Sequence, residues 1–490
     1  MACHLTTPRK NAVHQVKLIG LDFGSTTSSA IVARASMGRS CITGRMKLGH
    51  PEILYRSFPV FTPFADGVID ESRIRRYMDQ WLSESDTRLE DIFAGGTIIT
   101  GLAALRSNAQ ALARLVSRRI GEAVIATADD PSLESWLAFM GSCSVLSRFH
   151  CDTPIINLDI GGGTTNPAIG LNGNVQSTGC YYVGARHFRF EPGSYRLQEE
   201  SEFGRQLLTH LAIPLHAGEV LCPQDRDRIL DFYIKALEAM VMGTYNFFDQ
   251  GIGRIHEQVR FEWSCPGMMP VVTFSGGVGE LIYQHAAGET LPGTTYFGDL
   301  GIDLARRVVA SPVLAAGLGE FVPENRGRAT VYGLALHSTD ISGTTLYLPD
   351  TDMLPLRDLP ILARLPLNAD SEEWLRALEL LHKGSCGGCV QLISELSWDP
   401  NGKPSSLAEI KAAGQRLTAV LKERPLTGKQ TLVLVISDNA GKTLGSYATN
   451  WGQLPLRLIV IDEIPDRHAH FVNIGRCLNN IVPVSFYGMN

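Results

Sequence analysis

Two short segments of the chain each place an aspartate near the end of an apolar run and follow it with glycines and hydroxyl side chains. Such a turn exposes successive backbone N–H groups that can hold phosphate oxygens, and glycine lets the backbone approach a ligand without a Cβ in the way. Hydroxyl groups add donors, and an aspartate at a strand end can hold Mg²⁺ through water, because Mg²⁺ prefers carboxylates and keeps several waters. The residues concerned are Asp22, Gly24, Ser25, Thr26 and Thr27 in the first segment, and Asp159, Gly161, Gly162, Gly163, Thr164 and Thr165 in the second.

The two segments are copies of one pattern. Asp22 and Asp159 lie 137 residues apart (159 − 22), a typical length for a domain. Pairing the two threonines at 26–27 with those at 164–165 makes the second turn one residue longer than the first. Each turn lies between two strand-like runs, so a strand–turn–strand unit is repeated. We therefore expect two similar lobes whose turns face each other and clamp a chain of phosphates from both sides.

A third glycine unit follows the apolar run that begins at Val271. It consists of Ser275, Gly276 and Gly277, and a helical pattern comes next. A buried strand that ends in glycines lets a flat nucleoside lie against the backbone. We expect these three residues to complete a nucleotide site.

The elements that position these turns are indicated by apolar periodicity. Strand-like runs cover residues 16–23, 28–35, 155–160 and 168–171, and helical runs cover 71–85, 105–120 and 225–248. The last third shows a capping box at Ser406 and Glu409, with strand-like runs at 431–437 and 457–462. These patterns predict an α/β fold with two lobes, residues 1–150 and 151–340, and an appended C-terminal α/β domain, residues 341–490.

Composition excludes several classes of protein. The 44 Lys and Arg nearly balance the 50 Asp and Glu, giving a net charge of −6, so a basic surface for nucleic acid is not indicated. The hydrophobic fraction of 44% excludes disorder as the reason for the 48 glycines. Apolar runs such as 432–436 are far too short to span a bilayer, and residues 1–17 lack the apolar core of a secretory signal. We expect a cytoplasmic protein that binds neither nucleic acid nor membrane.

The ten cysteines are sparse and irregularly spaced, which disfavours a disulfide framework. Cys386 and Cys389 form a close pair, with His382 four residues before it. A zinc site needs about four ligands, and no second C-x-x-C motif accompanies the pair. We interpret the pair as incidental thiols in a loop.

The order of the three glycine units resembles the actin, sugar-kinase and heat-shock-chaperone ATPase superfamily, over roughly residues 16–340. In that superfamily the units are the first phosphate loop, the second phosphate loop and the adenosine loop. The resemblance therefore implies a two-lobed actin-like (ribonuclease H-like) ATPase fold with duplicated phosphate loops. It also implies ATP and Mg²⁺ as cofactors, with Asp22 and Asp159 holding the metal.

Two further segments resemble the connecting elements of the same superfamily. Residues 130–135 are similar to the first connecting element, which in chaperone-like members carries a glutamate near the attacking water. By this resemblance the catalytic residues are Glu134, which orients that water, and Asp159. Residues 328–335 are similar to the second connecting element.

Six segments spread over almost the whole chain carry a more specific resemblance. They are residues 61–64, 96–101, 133–135, 157–164, 328–331 and 481–484. These segments resemble the EutA family of ethanolamine ammonia-lyase reactivating factors. A departure from the pattern is Pro167 after the second loop, which removes one N–H from the next strand and puts its fine geometry in doubt.

The EutA resemblance implies a chaperone-like ATPase rather than a metabolic enzyme. Its partner would be cobalamin-dependent ethanolamine ammonia-lyase whose adenosylcobalamin has lost its adenosyl group. ATP-driven rearrangement would open the lyase, release damaged cobalamin and admit intact cofactor. The resemblance also implies a role in ethanolamine utilisation and association with a bacterial microcompartment. It leaves the oligomeric state open, a homodimer included.

Three other functions remain open from the residues alone. A small-molecule kinase of the same superfamily needs a catalytic base, for which Asp225 and Asp249 are the candidates. An iron–sulfur activator ATPase needs cysteines near the phosphate loops, where Cys151 and Cys180 are the nearest. A non-catalytic module that only senses nucleotide would lack multiple-turnover hydrolysis.

Overall fold

The computed structural model describes residues 14–39, 46–49, 51–65, 68–100, 103, 107–109, 116, 124–128, 130–265, 268–343, 345–384, 387–393, 404–425, 430–454 and 456–489. Within these ranges the chain forms three large mixed sheets and the helices that cover them. The predicted α/β fold is confirmed.

The first sheet contains the first glycine turn. Its strands are β1 His14–Phe23, β2 Thr27–Arg39, β3 Met46–Leu48, β4 Glu52–Arg56, β5 Val60–Phe61, β8 Ile92–Ile99 and β9 Val124–Ala128. The order is β3-β2-β1-β8-β9, with β4 and β5 also pairing with β2. A small hairpin, β6 Phe64–Ala65 and β7 Val68–Ile69, precedes helix α1 Glu71–Glu84. Helix α1 buries Ile74, Met78 and Trp81 against this sheet, which is the face that the periodicity predicts.

The second sheet contains the second glycine turn. Its strands are β10 Ile155–Ile160, β11 Thr165–Leu171, β12 Asn174–Thr178, β13 Cys180–Tyr181, β16 Glu257–Val259 and β17 Val271–Ser275, in the order β16-β13-β11-β10-β17 with β12 on β11. In both sheets the strand before the turn pairs antiparallel with the strand after it and parallel with a later strand. The repeated unit is therefore confirmed as the same topology in both lobes.

Further elements surround the second sheet. They are the hairpin β14 Phe188–Phe190 and β15 Leu197–Glu200, and the helices α4 Glu202–His210, α5 Pro223–Met242, α6 Asn246–Asp249, α7 Gly251–Ile255, α8 Gly276–Ala286 and α9 Gly301–Ala310. The sequence predicts one helix over 225–248, but the structure has two. Gly243 adopts φ +64° and ends α5, because the left-handed conformation stops the helical hydrogen-bond ladder.

Two helices join the lobes in a crossed arrangement. Helix α2 Pro131–Ser142 and the short α3 Ser144–Phe149 come before the second sheet, and Phe139 of α2 packs on that sheet. Helix α10 Ala329–His337 comes after the second sheet but packs on the first, through Val331 and Ala335. The helices meet at glycines: a Cβ at Gly333 would lie 2.2 Å from the Leu137 carbonyl oxygen, and one at Gly141 would lie 2.0 Å from that of Ala329. This contact needs glycine, because no side chain fits between the two backbones.

The third sheet is built from the C-terminal part of the chain. Its strands are β18 Asp340–Ser342, β19 Leu356–Pro366, β20 Gly388–Ile393, β21 Leu432–Ile436, β22 Leu458–Ile461, β23 Ala469–Ile474 and β24 Val482–Met489, in the order β18-β24-β23-β19-β20-β21-β22. Helices α11 Ser371–Lys383, α12 Leu407–Glu423 and α13 Gly441–Ala448 cover it. The capping box is confirmed, since Ser406 accepts from the Glu409 N–H and Glu409 accepts from the Ser406 N–H.

Some sequence expectations are not tested by this fold. The predicted helix over 105–120 falls mainly outside the described residues, as does Cys386 of the C-x-x-C pair. The expectation that Cys389 lies in a loop is wrong, since it is buried in β20, and burial raises the pKa of its thiol. The domain boundaries at residues 150 and 340 stay a prediction.

The glycine contact between α2 and α10 gives a stability test. Gly333→Ala places a methyl group against the Leu137 carbonyl, so we expect the free energy of unfolding to fall by about 1 to 3 kcal/mol from overpacking. Gly319→Ala is the matched control, because a Cβ there meets no atom within 4 Å. Urea unfolding followed by tryptophan fluorescence measures both, and equal stability of the two variants would contradict the close helix contact.

Candidate nucleotide site between the lobes

A cavity of about 670 Å³ lies where the two lobes meet. Most of the predicted site residues line it, together with parts of α8 and α10. Those present are Asp22, Gly24, Ser25, Thr26, Thr27, Glu134, Asp159, Gly161, Gly162, Thr164, Gly276 and Gly277. The structure thus brings residues from four separate segments to one space.

The two glycine turns have the same length and the same closing hydrogen bond. The Gly24 N–H donates to the Thr27 carbonyl at 3.0 Å, and the Gly161 N–H donates to the Thr164 carbonyl at 2.9 Å. The strands resume with Phe23 opposite Ser28 in one and Ile160 opposite Thr165 in the other, leaving four turn residues in each. The expectation that the second turn is one residue longer is wrong, because it aligned the threonine pairs instead of the turns.

Two of the residues predicted to contact phosphate, Thr165 and Gly163, do not line the cavity, and for Thr165 the register explains why. Thr27 is the counterpart of Thr164, and Thr165 is the counterpart of Ser28, a strand residue. Thr165 is fully buried and its hydroxyl donates to the Val183 carbonyl at 2.7 Å, so it does not line the cavity. Gly163 belongs to the turn but is buried and does not line the cavity.

The two turns face each other closely. A Cβ on Gly162 would lie 2.4 Å from Thr26 Oγ1 and 3.4 Å from Ser25 Cβ of the opposite turn. Only glycine fits this approach, and its absent side chain lets the backbones of both turns come close to one ligand. A phosphate chain bound here would contact both lobes.

The three residues of the third glycine unit have different roles. Gly276 has φ +82°, a Cβ there would lie 2.5 Å from the Ile160 carbonyl oxygen, and α8 begins at this residue. Gly277 lines the cavity with open space above it. Ser275 does not line the cavity: its hydroxyl donates to Asp159 and accepts from Asn157 Nδ2 at 2.8 Å. Ser275 therefore orients a carboxylate instead of touching the ligand.

Glu134 reaches the cavity from the first turn of α2. Asp130 caps this helix by accepting from the Leu133 N–H at 3.1 Å, and Pro131 occupies the first helical position. The Glu134 side chain is 8% exposed, at the wall of the cavity. The predicted helix and the place of its glutamate fit the water-orienting role.

Three carboxylates share this end of the cavity, and each has a raised pKa. Burial, and then the neighbouring Asp159, raise the pKa of Asp22 to about 7. Burial raises the pKa of Asp159 to about 6, while the Ser275 hydroxyl acts in the opposite direction. Burial and both aspartates hold the pKa of Glu134 well above its ordinary value. Like charges at close range with little water disfavour the ionised forms, so this end of the cavity favours a bound cation.

The donor set suits Mg²⁺ held mainly by water and phosphate. Among the described residues, no three His, Cys, Asp or Glu side chains converge on one coordination site. Mg²⁺ uses one or two carboxylates together with waters and substrate phosphates, so Asp22 and Asp159 are sufficient. Asp22 and Asp159 therefore fit a metal ion that binds together with the nucleotide.

Thr100 is a site residue that reasoning from the glycine units missed. Its hydroxyl donates to Asp22 Oδ1 at 3.3 Å, and its N–H donates to the Phe23 carbonyl at 3.1 Å. It belongs to the segment 96–101 that carries part of the family resemblance, which is the signal that could have found it. The cavity is also lined by Arg56 and by the ion pair of Arg326 with Glu280, to which no sequence motif pointed. Arg328 lines it too, and it begins the segment 328–331 that carries part of the family resemblance.

Candidate residues for the alternative functions lie away from the cavity. Asp225 pairs with Arg228 at 2.9 Å and Asp249 with Arg260 at 2.6 Å, both outside the cavity lining. Cys151 is exposed, and Cys180 is buried with its thiol donating to Gln258.

Pro167 stays within β11 opposite Leu158, and its carbonyl accepts from the Gly179 N–H, so the strand tolerates the proline.

Comparison with known proteins identifies the family of this chain. The family model described as ethanolamine utilisation protein EutA matches residues 14–488. The chain belongs to the EutA family. It is 27% identical to the ethanolamine ammonia-lyase reactivase EutA of Escherichia coli strain K12, and 28% identical to that of Salmonella typhimurium strain LT2. Each alignment covers 96% of this chain and 97% of the relative.

Solved structures resemble this EutA family member only distantly. An exopolyphosphatase-like protein aligns over 66% of this chain and 97% of its own, with 14% identity and a TM-score of 0.39. The ethanolamine utilization protein EutJ of Carboxydothermus hydrogenoformans aligns over 65% of this chain and 89% of its own, with 14% identity and a TM-score of 0.28. The two-lobed actin-like fold rests on the chain's own repeated topology. In the part of the chain that the structure describes, no helix is long and apolar enough to cross a membrane.

The carboxylate cluster gives a stability test that depends on pH. The pKa of Asp22 is raised in the folded state, so the folded protein binds more protons than the unfolded chain between about pH 4 and 7. Stability of the metal-free protein should therefore fall as pH rises through this window. Asp22→Asn should remove part of the slope and stabilise the metal-free protein by roughly 2 kcal/mol at pH 8.

Thermal unfolding at pH 5 and pH 8, with and without Mg²⁺, measures this effect. Asp152→Asn is the control, because Asp152 is an exposed carboxylate outside the cavity. Mg²⁺ should stabilise the parent chain more than Asp22→Asn at pH 8. A pH slope that Asp22→Asn leaves unchanged would contradict the assigned electrostatics.

Proposed function

We propose that this chain is a chaperone-like ATPase that reactivates ethanolamine ammonia-lyase by ATP-dependent release of damaged cobalamin, after which intact adenosylcobalamin binds. The observation that carries the proposal is the pair of equal glycine turns that face each other across the cavity, in a member of the EutA family. The relatives from Escherichia coli and Salmonella typhimurium carry the name of reactivase for this lyase.

The residues divide into phosphate-binding and hydrolytic roles. Phosphate oxygens accept from the hydroxyls of Thr27 and Thr164 and from backbone N–H groups of both turns, except those of Gly24 and Gly161, which close the turns. Asp22 and Asp159 would hold Mg²⁺, which would supply positive charge to offset that of the phosphates. Glu134 orients the attacking water and accepts its proton, a role that suits a carboxylate with a raised pKa.

Hydrolysis then changes how the lobes are held together. A bound γ-phosphate contacts both turns at once, and after its loss each turn keeps only its own lobe's contacts. The difference in contact between the ATP and ADP states is the free energy available to shift the lobes. Lobe movement transmitted to bound ethanolamine ammonia-lyase would open its cobalamin site. Cytoplasmic location and association with an ethanolamine-utilisation microcompartment belong to the same proposal.

The turn register predicts which threonines bind nucleotide. Thr27→Val and Thr164→Val each remove a hydroxyl at the cavity wall, so we expect ATP to bind about 5- to 20-fold more weakly, since a hydrogen bond to a charged group contributes roughly 1.5 kcal/mol or more. Thr165→Ser is the matched control, because it keeps the hydroxyl that donates to Val183. Isothermal titration with Mg²⁺ and a non-hydrolysable ATP analogue measures the affinities. Equal affinity of Thr164→Val and the parent chain would contradict the site.

Glu134 supplies the test of the whole function. Cyanocobalamin-inhibited ethanolamine ammonia-lyase is incubated with this protein, ATP, Mg²⁺ and adenosylcobalamin, and recovered lyase activity is followed. Glu134→Gln should keep ATP binding but lower ATP turnover about 100-fold, and reactivation should fall in parallel. Glu289→Gln, an exposed change outside the cavity, should behave like the parent chain.

The outcomes separate the parts of the proposal. Recovery of lyase activity without added nucleotide would contradict an ATP-driven mechanism. Nucleotide binding without any recovery would leave the ATP site in place and remove the lyase as partner. Full reactivation by Glu134→Gln with stalled turnover would show that binding alone drives release.

A further inference from the structure

The last strand of the chain is attached to the helices that join the lobes. Tyr487 and Met489 of β24 pack against an apolar cluster formed by Leu133 and Leu137 of α2, Leu334 of α10 and Ile98 of β8. The cluster lies beside the N-terminal turn of α2, where Glu134 points to the nucleotide cavity. The C-terminal sheet therefore meets the ATPase lobes at their hydrolytic side.

One side chain makes this attachment specific. Asp130, which is 7% exposed, caps α2 with one carboxylate oxygen by accepting from the Leu133 N–H at 3.1 Å. Its other oxygen accepts from the Gly488 N–H at 2.6 Å, across 358 residues of sequence. Gly488 has φ +67°, a conformation that favours glycine, and this backbone turn aims its N–H at the carboxylate. A single carboxylate therefore joins β24 to the helix that carries Glu134.

A second contact holds the same helix from the same sheet. The Arg467 guanidinium lies over the Trp136 ring of α2, with its Cζ 5.0 Å from the ring centre, and pairs with Asp340 of β18 at 3.2 Å. Asp340 in turn follows α10 by three residues. Helix α2 is thus tied to the C-terminal part of the chain by directional contacts as well as by apolar packing, and α10 by apolar packing.

We propose that Asp130 is a positioning residue through which the C-terminal sheet sets the place of Glu134 and so the rate of ATP hydrolysis. This inference rests on the proposed ATPase function. The appended C-terminal domain then acts as a control element: a partner that moves β24 changes hydrolysis without contact with the nucleotide. Asp130 can set the position of Glu134 because the two residues are close. Glu134 is four residues from Asp130, and its N–H donates to the Asp130 carbonyl at 3.0 Å. A misplacement of about 1 Å in a reacting group can cost on the order of 100-fold in rate.

Two changes interrupt the bond from opposite sides. Asp130→Asn keeps one acceptor for the helix cap, since Asn caps as well as Asp, but leaves one of the two N–H groups without its acceptor. Deletion of residues 488–490 removes the Gly488 N–H, and with it the packing of Met489 on the cluster, and leaves the cap intact. The control is Tyr487→Phe, which removes the Tyr487 hydroxyl bond to Asp358 within the C-terminal sheet and keeps the apolar packing of the ring.

The experiment measures steady-state ATP hydrolysis of the full chain, the single variants and the double variant. Asp130→Asn and the deletion should each lower kcat about 10-fold with the KM for ATP changed less than 2-fold, and Tyr487→Phe should match the parent chain. Because both changes break one bond, the double variant should be no slower than the slower single variant, whereas independent effects would multiply. Multiplying losses, or an unchanged kcat, would overturn the proposal.

Amide hydrogen exchange over residues 131–142 gives a readout that needs no turnover. Both changes should speed exchange in the first turn of α2, and Tyr487→Phe should not. Faster exchange with undiminished kcat would overturn the positioning role even though the bond exists. A parent chain that exchanges slowly but hydrolyses no ATP would instead count against the proposed function.

Discussion

The structure depends on keeping three carboxylates together in a space that holds little water. Asp22 comes from one lobe, Asp159 from the other, and Glu134 from a helix between them, so the lobes can close only if the mutual repulsion is neutralised. Within the described residues none of these three groups has a lysine or arginine ion-pair partner, and burial is the main reason for their raised pKa values. On the proposed function, a nucleotide with Mg²⁺ would supply a cation here and phosphates to both glycine turns. Ligand binding and lobe closure would then be one event.

Such coupling requires a hinge whose two helices cannot move independently of each other. The two joining helices touch backbone to backbone at Gly141 and Gly333, and each packs on the sheet of the lobe that it does not follow in sequence. A shift of one lobe must therefore move both helices together, because close-packed backbones cannot slide independently. The C-terminal sheet is attached to these helices through Tyr487 and Met489, and also to the first sheet through Ile341.

Much of the site follows from the sequence because local rules produce it. A strand that ends in Asp and Gly can be recognised from neighbouring residues in the sequence. The same holds for the cap and the proline that start the Glu134 helix. The errors come from long-range geometry. Thr165 is the counterpart of Ser28 and not of Thr27, because register is set by strand pairing. Ser275 does not line the cavity, because its hydroxyl donates to Asp159. The bond between Asp130 and Gly488 has no local signature, because 358 residues separate its ends.

The duplicated turns are equal in backbone but are held by different neighbours. The second turn rests on the chain that follows it, since the Ala185 and Arg186 N–H groups donate to the Gly161 and Gly162 carbonyls. The first turn is instead held by Thr62, whose hydroxyl donates to the Gly24 carbonyl at 2.6 Å and whose N–H donates to Thr26. Thr62 belongs to a surface segment in which Phe58 is 87% exposed. Thr62 itself is buried and directly follows β5 of the first sheet, so each turn is braced by a segment of its own lobe. The same turn geometry is therefore held by different hydrogen-bond partners in the two lobes.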